Sequence, residues 1–245
     1  LDSMNYLTTI DVTSPRYLAQ VSESKAYVTD WGDNGVHVLN LDNNTISTTI
    51  SCGIGPEAIV VNNGYAYVCN VGGWGLDNTV SIINISTDIV ETILNVGDKP
   101  NSLVVDANGA IWVLSGGYTE WNADWTQILS QTNGTLVKIV NNSIEKTFEF
   151  PLGSSPSNLV INDAGTDLYF SNGSIFNMSI ADLDLPTIPL VNKSFYSLGY
   201  NDGYIFGTDV MDYVQQGWSY RYTSSGSVVD SVQVGIIPGG YCFNN

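Results

Sequence analysis

The sequence predicts an all-β fold, a β-propeller of four-stranded antiparallel blades, on three observations. A proline turn leading into an apolar run recurs along the chain, the recurrences are divided into short β-rich runs, and one set of connecting loops carries nearly all the tryptophans. Aligned on the turn, the repeats read SPRYLAQVSESKAYVTDWG from Ser14, GPEAIVVNNGYAYVCNVGG from Gly55, KPNSLVVDANGAIWVLSGG from Lys99 and SPSNLVINDAGTDLYFSNG from Ser155. Two weaker copies follow, SFYSLGYNDGYIFGTD from Ser194 and IPGGYCFNN from Ile237. Pro15, Pro56, Pro100 and Pro156 lie 41, 44 and 56 residues apart, and Pro238 lies 82 further on, two periods with Tyr196 where a proline is missing. A period of about 42 residues is the signature of a propeller blade or a comparable array.

Each period resolves into four runs. In the second copy they are Ala58 to Val61, Tyr65 to Cys69, Thr79 to Asn84 and Ile89 to Val96, separated by NNG, VGGWGLDN and ISTD. Runs of this length, rich in Val, Ile, Thr and Tyr and bounded by Gly and Asn, are strands. No stretch shows a helical period. Four antiparallel strands repeated radially leave only short, protected sheet edges. Repeats starting near 14, 55, 99, 155, 195 and 237 make residues 1–245 one expected propeller domain.

At the N-terminus, NYLTTIDVT matches NTISTTISCG and TDIVETILNVG, so residues 5–13 are expected to form the last strand of a blade that begins before Leu1. At the other end, IIPGGYCFNN is expected to open a further blade. Five whole blades and two end strands sharing a sixth follow. A leader, and more of the chain with it, is expected to precede Leu1.

A net charge of −17, from 24 acidic and 7 basic residues, excludes a nucleic-acid backbone as partner. Charged residues are only 13% of the chain, so Asn, Thr, Ser and Gly must build the surface, as in exported proteins. The uncharged span from Ile59 to Leu76 fits two strands and a turn better than a membrane helix. Cys52, Cys69 and Cys242 are too few and scattered for a disulfide framework or a zinc site and read as small buried thiols.

The proline turns and the loops joining second to third strands emerge on one face. Trp31, Trp74, Tyr118, Trp121, Trp125, Tyr213 and Trp218 all fall on those loops, whereas the opposite face has turns such as NNG and STD. Amphipathic rings on a rigid scaffold suit a large flat ligand or a protein partner. The plainer alternative is that each ring folds back over its own blade. Just after each proline turn come Arg16, Glu57, Asn101, Ser157, Tyr196 and Gly239, expected to point toward the central channel, either to touch a ligand or to tie blades together. Arg16 and Lys99 are the cations near this face and the natural partners of an anionic group.

His37 is the sole histidine, aligned with Ser81 on a strand, and is expected to be structural, which leaves none for a Ser-His-Asp triad; with no second His, a His metal cluster and bis-His haem ligation are excluded as well, and a single axial ligand is a remote prospect. Asp30, Asp33 and Asn34 bring oxygen ligands close together and form a weak calcium candidate, though an Asx-Gly turn explains the same residues. Glu57, Asp98, Glu120 and Asp124 could supply paired acids, but no spacing selects a pair. The chain is therefore expected not to be an enzyme and to carry no covalently bound cofactor.

The stretch AYVTDWGDNGVHVLNLDNNTISTTI, followed by GPEAIVV and AYVCNVGG, resembles the YVTN-type β-propeller repeat, and Tyr27-Val28-Thr29-Asp30 nearly reproduces its tetrapeptide. With VGDKPNSLVVDANGAIWVLSGG, PSNLVINDAGTDLYF and VGIIPGGYCFNN, the chain is similar over its whole length to exported propeller lipoproteins of Bacteroidetes. That resemblance implies further N-terminal blades, about seven in all. It also implies a lipid anchor outside this chain and an outer-membrane, extracellular location, with the periplasm as second choice. Capture of a corrinoid as cargo, or next a siderophore, for a TonB-dependent transporter follows from the same likeness. An accessory or adhesive subunit of another outer-membrane protein is the alternative, and a propeller hydrolase or lyase stands third. The phylum's Asp-Ser glycosylation pattern fits Ser3 and Ser231.

Overall fold

The computed structural model describes residue 6 and residues 8–243. The first blade is β1 (Pro15–Gln20), β2 (Lys25–Asp30), β3 (Gly35–Asn40) and β4 (Thr45–Ser51). The second is β5 (Pro56–Asn62), β6 (Tyr65–Asn70), β7 (Thr79–Asn84) and β8 (Ile89–Asn95). In the third, β9 (Pro100–Val105) and β10 (Ile111–Ser115) are followed by a separate hairpin, β11 (Thr119–Trp121) with β12 (Ile128–Gln131), before β13 (Thr135–Val140) and β14 (Ser143–Glu149) complete the sheet. β15 (Ser157–Ile161), β16 (Asp167–Ser171) and β17 (Ile175–Ser179) make the fourth. The fifth is β18 (Ser197–Asn201), β19 (Tyr204–Asp209), β20 (Gln216–Thr223) and β21 (Val228–Ile236).

All pairings are antiparallel meanders, and the first strands β1, β5, β9, β15 and β18 each contact the next along the series. Core clusters lie between blades rather than within them. Tyr27, Val36, Val38 and Ile50 of the first blade meet Ala66, Val68 and Ile83 of the second. Cys69, Val80 and Ile82 meet Val113, Val137 and Ile139, and Trp112, Leu114 and Phe148 meet Leu168 and Phe170. Each such side chain contributes about 1.5–3 kcal/mol by leaving water, so neighbouring blades hold one another in place.

Three expectations need correction. The fourth blade lacks an outer strand: after β17 only an isolated bridge joins Ile175 to Val191. Pro186 and Pro189 fall in that segment, and a residue without an N–H cannot serve a ladder. Residues 8–14 form no strand, while Asn5 and Leu7 of the expected end strand, like Ser3, lie outside the described residues. Residues 237–243 form none either, yet Tyr241 and Phe243 stack on each other at 5.8 Å and lean, tilted, against Phe206 of β19 at 5.5 and 5.2 Å, packing onto the fifth blade.

Of the cysteines, Cys69 is buried on β6 and Cys52 half-buried after β4, but Cys242 is exposed and off any strand. All three are free thiols.

Candidate functional site

The first strands of the first four blades share an irregularity. Pro15 pairs with Asp30 but Leu18 with Val28, and Pro56 pairs with Asn70 but Ile59 with Val68. The same one-residue bulge recurs beside Pro100 in β9 and between Ser157 and Val160 in β15. A bulge bends its strand and re-aims a side chain. Here it turns the segment after each proline turn toward the axis, where a cavity of about 570 Å³ opens. Arg16, Asn101, Ser157 and Gly239 line it as expected, but Glu57 and Tyr196 do not; Ala58 and Ser197 take those places. β18 lacks both the proline and the bulge, and Tyr196 meets Tyr213 edge-on at 6.1 Å.

Glu57 is only 8% exposed and is held by Arg16, which donates to its two carboxylate oxygens at 2.9 and 2.8 Å. Asn101 donates to Pro156 O at 3.0 Å and Asn158 to Tyr196 O at 3.2 Å. Much of the polar ring therefore ties blades together. Neither cation is free: Lys99 donates to Gly75 O and lies 5.9 Å from the Tyr118 ring, and burial pulls its ammonium below the usual lysine range against the opposing pull of Asp98.

The aromatic loops divide into two kinds. Trp31 is half-buried, sandwiched between the Arg16 guanidinium at 4.4 Å and the edge of Trp74 at 5.9 Å. Its indole Nε1 is buried without a hydrogen-bond partner. Trp74 itself is 99% exposed, on a glycine loop packed so tightly that a Cβ on Gly55 would stand 2.1 Å from Gly73 N. Tyr118 and Trp218 are half-buried, and Trp121 is exposed on β11.

Trp125 and Tyr213 are 75% and 56% exposed. Both have left-handed backbones, with φ of 58° and 64°, a conformation that bulky residues avoid. Turns over-determine each one. Asn122 Oδ1 accepts from Thr126 N and Gln127 N at 2.9 and 3.1 Å, and Asp212 Oδ1 accepts from Val214 N and Gln215 N at 3.1 and 2.8 Å. Both rings thus stand in solvent on backbones that side-chain-capped turns hold in place. Met211 and Val214 are exposed on the Tyr213 loop, Leu129 on β12 and Ile54 in the turn before β5. Sequence reasoning did not single them out, although their apolar character between turn residues was visible.

The candidate calcium residues separate. Asn34 Oδ1 accepts from Gly55 N at 2.8 Å and stitches the first blade to the second. Asp30 and Asp33 instead meet His37, which is buried on β3 as expected. Asp30 faces Gly35 across the ladder, while His37 faces Val28 two residues away on the same side, so the missing side chain at Gly35 leaves room between them. Burial pushes the Asp30 carboxyl up, but the amides of Ser14, Asp33 and Gly32, with His37, outweigh it and hold it below the usual carboxylate range.

Radial antiparallel blades around a channel, with aromatic loops crowding one end, define a β-propeller with a built loop face. No protein-family model matches the chain, and no curated protein matches it. Among solved structures it is similar to hydrazine synthase of Kuenenia stuttgartiensis, with a TM-score of 0.66 and 13% identity over 95% of this chain and 68% of that one. It is similar to a candidate 6-phosphogluconolactonase of Bacteroides uniformis, with a TM-score of 0.67 and 14% identity over 93% and 74% of the two chains. A quinonprotein alcohol dehydrogenase-like protein of Bacteroides thetaiotaomicron gives 0.62 and 14% over 90% of this chain and 55% of that one. At such identities the likeness shows the fold alone. It nevertheless corrects the expectation that the chain is not an enzyme, because propellers of this shape include enzymes.

Proposed function

We propose that the loop face captures a bulky ligand with flat apolar sides and a polar rim, a corrinoid before a siderophore. The observation that carries this reading is the exposure of Trp74, Trp125 and Tyr213, at 99%, 75% and 56%, on the face where the polar channel opens. Rigid rings supply contact area at low entropic cost. Ser157 and Ser197, which line the channel, offer hydroxyl groups to the rim. The choice of cargo rests on the resemblance to Bacteroidetes propeller lipoproteins, as do a cell-surface location, a lipid anchor and delivery to a TonB-dependent outer-membrane transporter.

A specific observation favours a second reading, an accessory subunit that docks protein: Trp74 projects from its loop with 99% of its surface exposed. Calorimetric titration with cyanocobalamin, and with a ferric catecholate siderophore in parallel, separates the two. Ligand capture predicts tight one-to-one binding of one cargo, abolished in a folded Trp121→Ala/Trp125→Ala variant. Silence from both cargoes, with a barrel protein retained from solubilised outer membranes, supports docking instead.

A further inference from the structure

Buried Asp30 and exposed Asp33, on either side of Trp31 and Gly32, form a three-point cluster with His37. One oxygen each of Asp30 and Asp33 and one ring nitrogen of His37 lie within 4.8 Å of one another. Nε2 of His37 is 3.6 Å from Asp30 Oδ2 and 3.3 Å from Asp33 Oδ2, and makes a hydrogen bond to neither. His37 is only 4% exposed, so this nitrogen is a buried polar atom aimed at two carboxylates with nothing satisfying it.

The separations have a simple geometric meaning. Ligand atoms about 2.1 Å from a tetrahedral ion stand about 3.4 Å apart along each edge. The two nitrogen–oxygen distances, 3.3 and 3.6 Å, bracket that edge.

The surroundings are those of a held ligand set. His37 Nδ1 lies 2.9 Å from Thr49 Oγ1, and donating its proton there leaves the Nε2 lone pair free to bind. Asp30 Oδ2 accepts from Ser14 N at 2.8 Å, while Oδ1 accepts from Gly32 N at 2.6 Å and Asp33 N at 3.2 Å, which fixes the carboxylate in place. Asp33 is exposed and gives access from solvent.

We propose that Asp30, Asp33 and His37 bind a divalent transition-metal ion of the zinc class, with the remaining coordination open on the Asp33 side. An imidazole nitrogen suits zinc, cobalt or nickel far better than calcium, and the amide oxygen that a calcium cage would want, on Asn34, is committed to the second blade. The site goes beyond the capture reading and does not depend on it. Its two aspartates bracket Trp31 and Gly32, so a bound ion clamps the loop that sets Trp31 against Trp74.

Co²⁺ titration of the metal-stripped full chain, in a Cys242→Ser background to remove the exposed thiol, tests this. The expected result is a set of visible bands of tetrahedral Co²⁺ that saturates at one equivalent and is displaced by Zn²⁺ but not by Ca²⁺. His37→Gln, shown folded by circular dichroism, should lose the bands, and Asp33→Asn should weaken Zn²⁺ binding at least tenfold. Absence of one-to-one binding in the unsubstituted cluster, or equal binding by folded His37→Gln, overturns the proposal; His37 is then an imidazole between two carboxylates and nothing more.

Discussion

Arg16 grips Glu57 with two parallel hydrogen bonds, 2.9 and 2.8 Å long, and so joins the first strand of one blade to the first strand of the next. The other face of the same guanidinium covers Trp31 at 4.4 Å. Interblade packing and the aromatic loop are therefore held by one side chain.

Removing it leaves a buried carboxylate without its partner. Because the Arg16 side chain is itself 40% exposed, the loss falls below that of a fully buried pair. Arg16→Met should cost about 2 kcal/mol in urea unfolding. Arg16→Lys, which keeps the charge but not the fork, should cost about 1 kcal/mol. Stability equal to the parent in Arg16→Met would show that the pair is decorative.

Inside the third blade, Trp112 donates its indole N–H to Asp106 Oδ2 at 2.9 Å, and Asp106 Oδ1 accepts from Asn108 N and Ala110 N at 2.8 and 2.9 Å. One carboxylate thus closes the β9–β10 turn and satisfies the largest buried ring. Asp106→Ala should destabilise the protein by about 3 kcal/mol, since three donors lose their acceptor at once. Asp106→Asn keeps one acceptor oxygen and should fall roughly midway. Parent-like stability in Asp106→Asn beside a full loss in Asp106→Ala would mean that volume, not the charged acceptor, governs the site.

The strand pattern was legible because a blade is a local object. Tyr65 to Cys69 and Thr79 to Asn84 announce themselves by composition, and the structure places strands there. What alignment could not supply was the bulge after Pro15, Pro56, Pro100 and Ser157, because an extra residue opposite a partner leaves no mark in a single strand. Hence Arg16 and Asn101 line the channel cavity, while Ala58 and Ser197 line it where alignment pointed to Glu57 and Tyr196. The His37 cluster was half visible. Spacing drew Asp30 and Asp33 together, but His37 joins them only across the β2–β3 ladder, where register rather than sequence distance decides who meets.

Burial separates the thiols by reactivity. It pushes the Cys52 thiol up to about 12, with a hydrogen bond to Ser81 working the other way, and raises Cys69 well above the usual range. Both stay protonated, and poor nucleophiles, at pH 8. With Cys242 exposed, a disulfide reagent at pH 8 should titrate one fast thiol in the native protein, none in Cys242→Ser, and all three after unfolding. Two fast thiols in native Cys242→Ser would show that the Cys52 and Cys69 strands open readily.

Lys193 and Asp209 pair at 2.9 Å beside the loop that carries Tyr213. Lys193 Nζ also lies 4.0 Å from the Tyr220 ring centre, and Asp209 Oδ1 accepts from Met211 N at 2.9 Å. The hydrogen bond from Lys193, then the Met211 amide, hold the Asp209 carboxyl below its usual range against the opposing effect of burial. For Lys193 burial acts downward first, but its bonds to Asp209 and Tyr220 prevail and raise it. The sign follows for each. Asp209 stabilises the fold fully above the ordinary aspartate value of about 3.9, and that contribution is lost as the pH falls through its lower folded value. Lys193 stabilises below about 10.4 and is lost as the pH rises through its higher folded value. Asp209→Asn should therefore cost about 1 kcal/mol at pH 7. Urea midpoints of variant and parent should then converge as the pH is taken below 3, because a protonated Asp209 is already neutral. The same variant should loosen the Met211 turn and with it the edge-on contact between Tyr196 and Tyr213. A gap in midpoints that stays constant from pH 7 to pH 2.5 would assign the loss to packing and remove charge from the account.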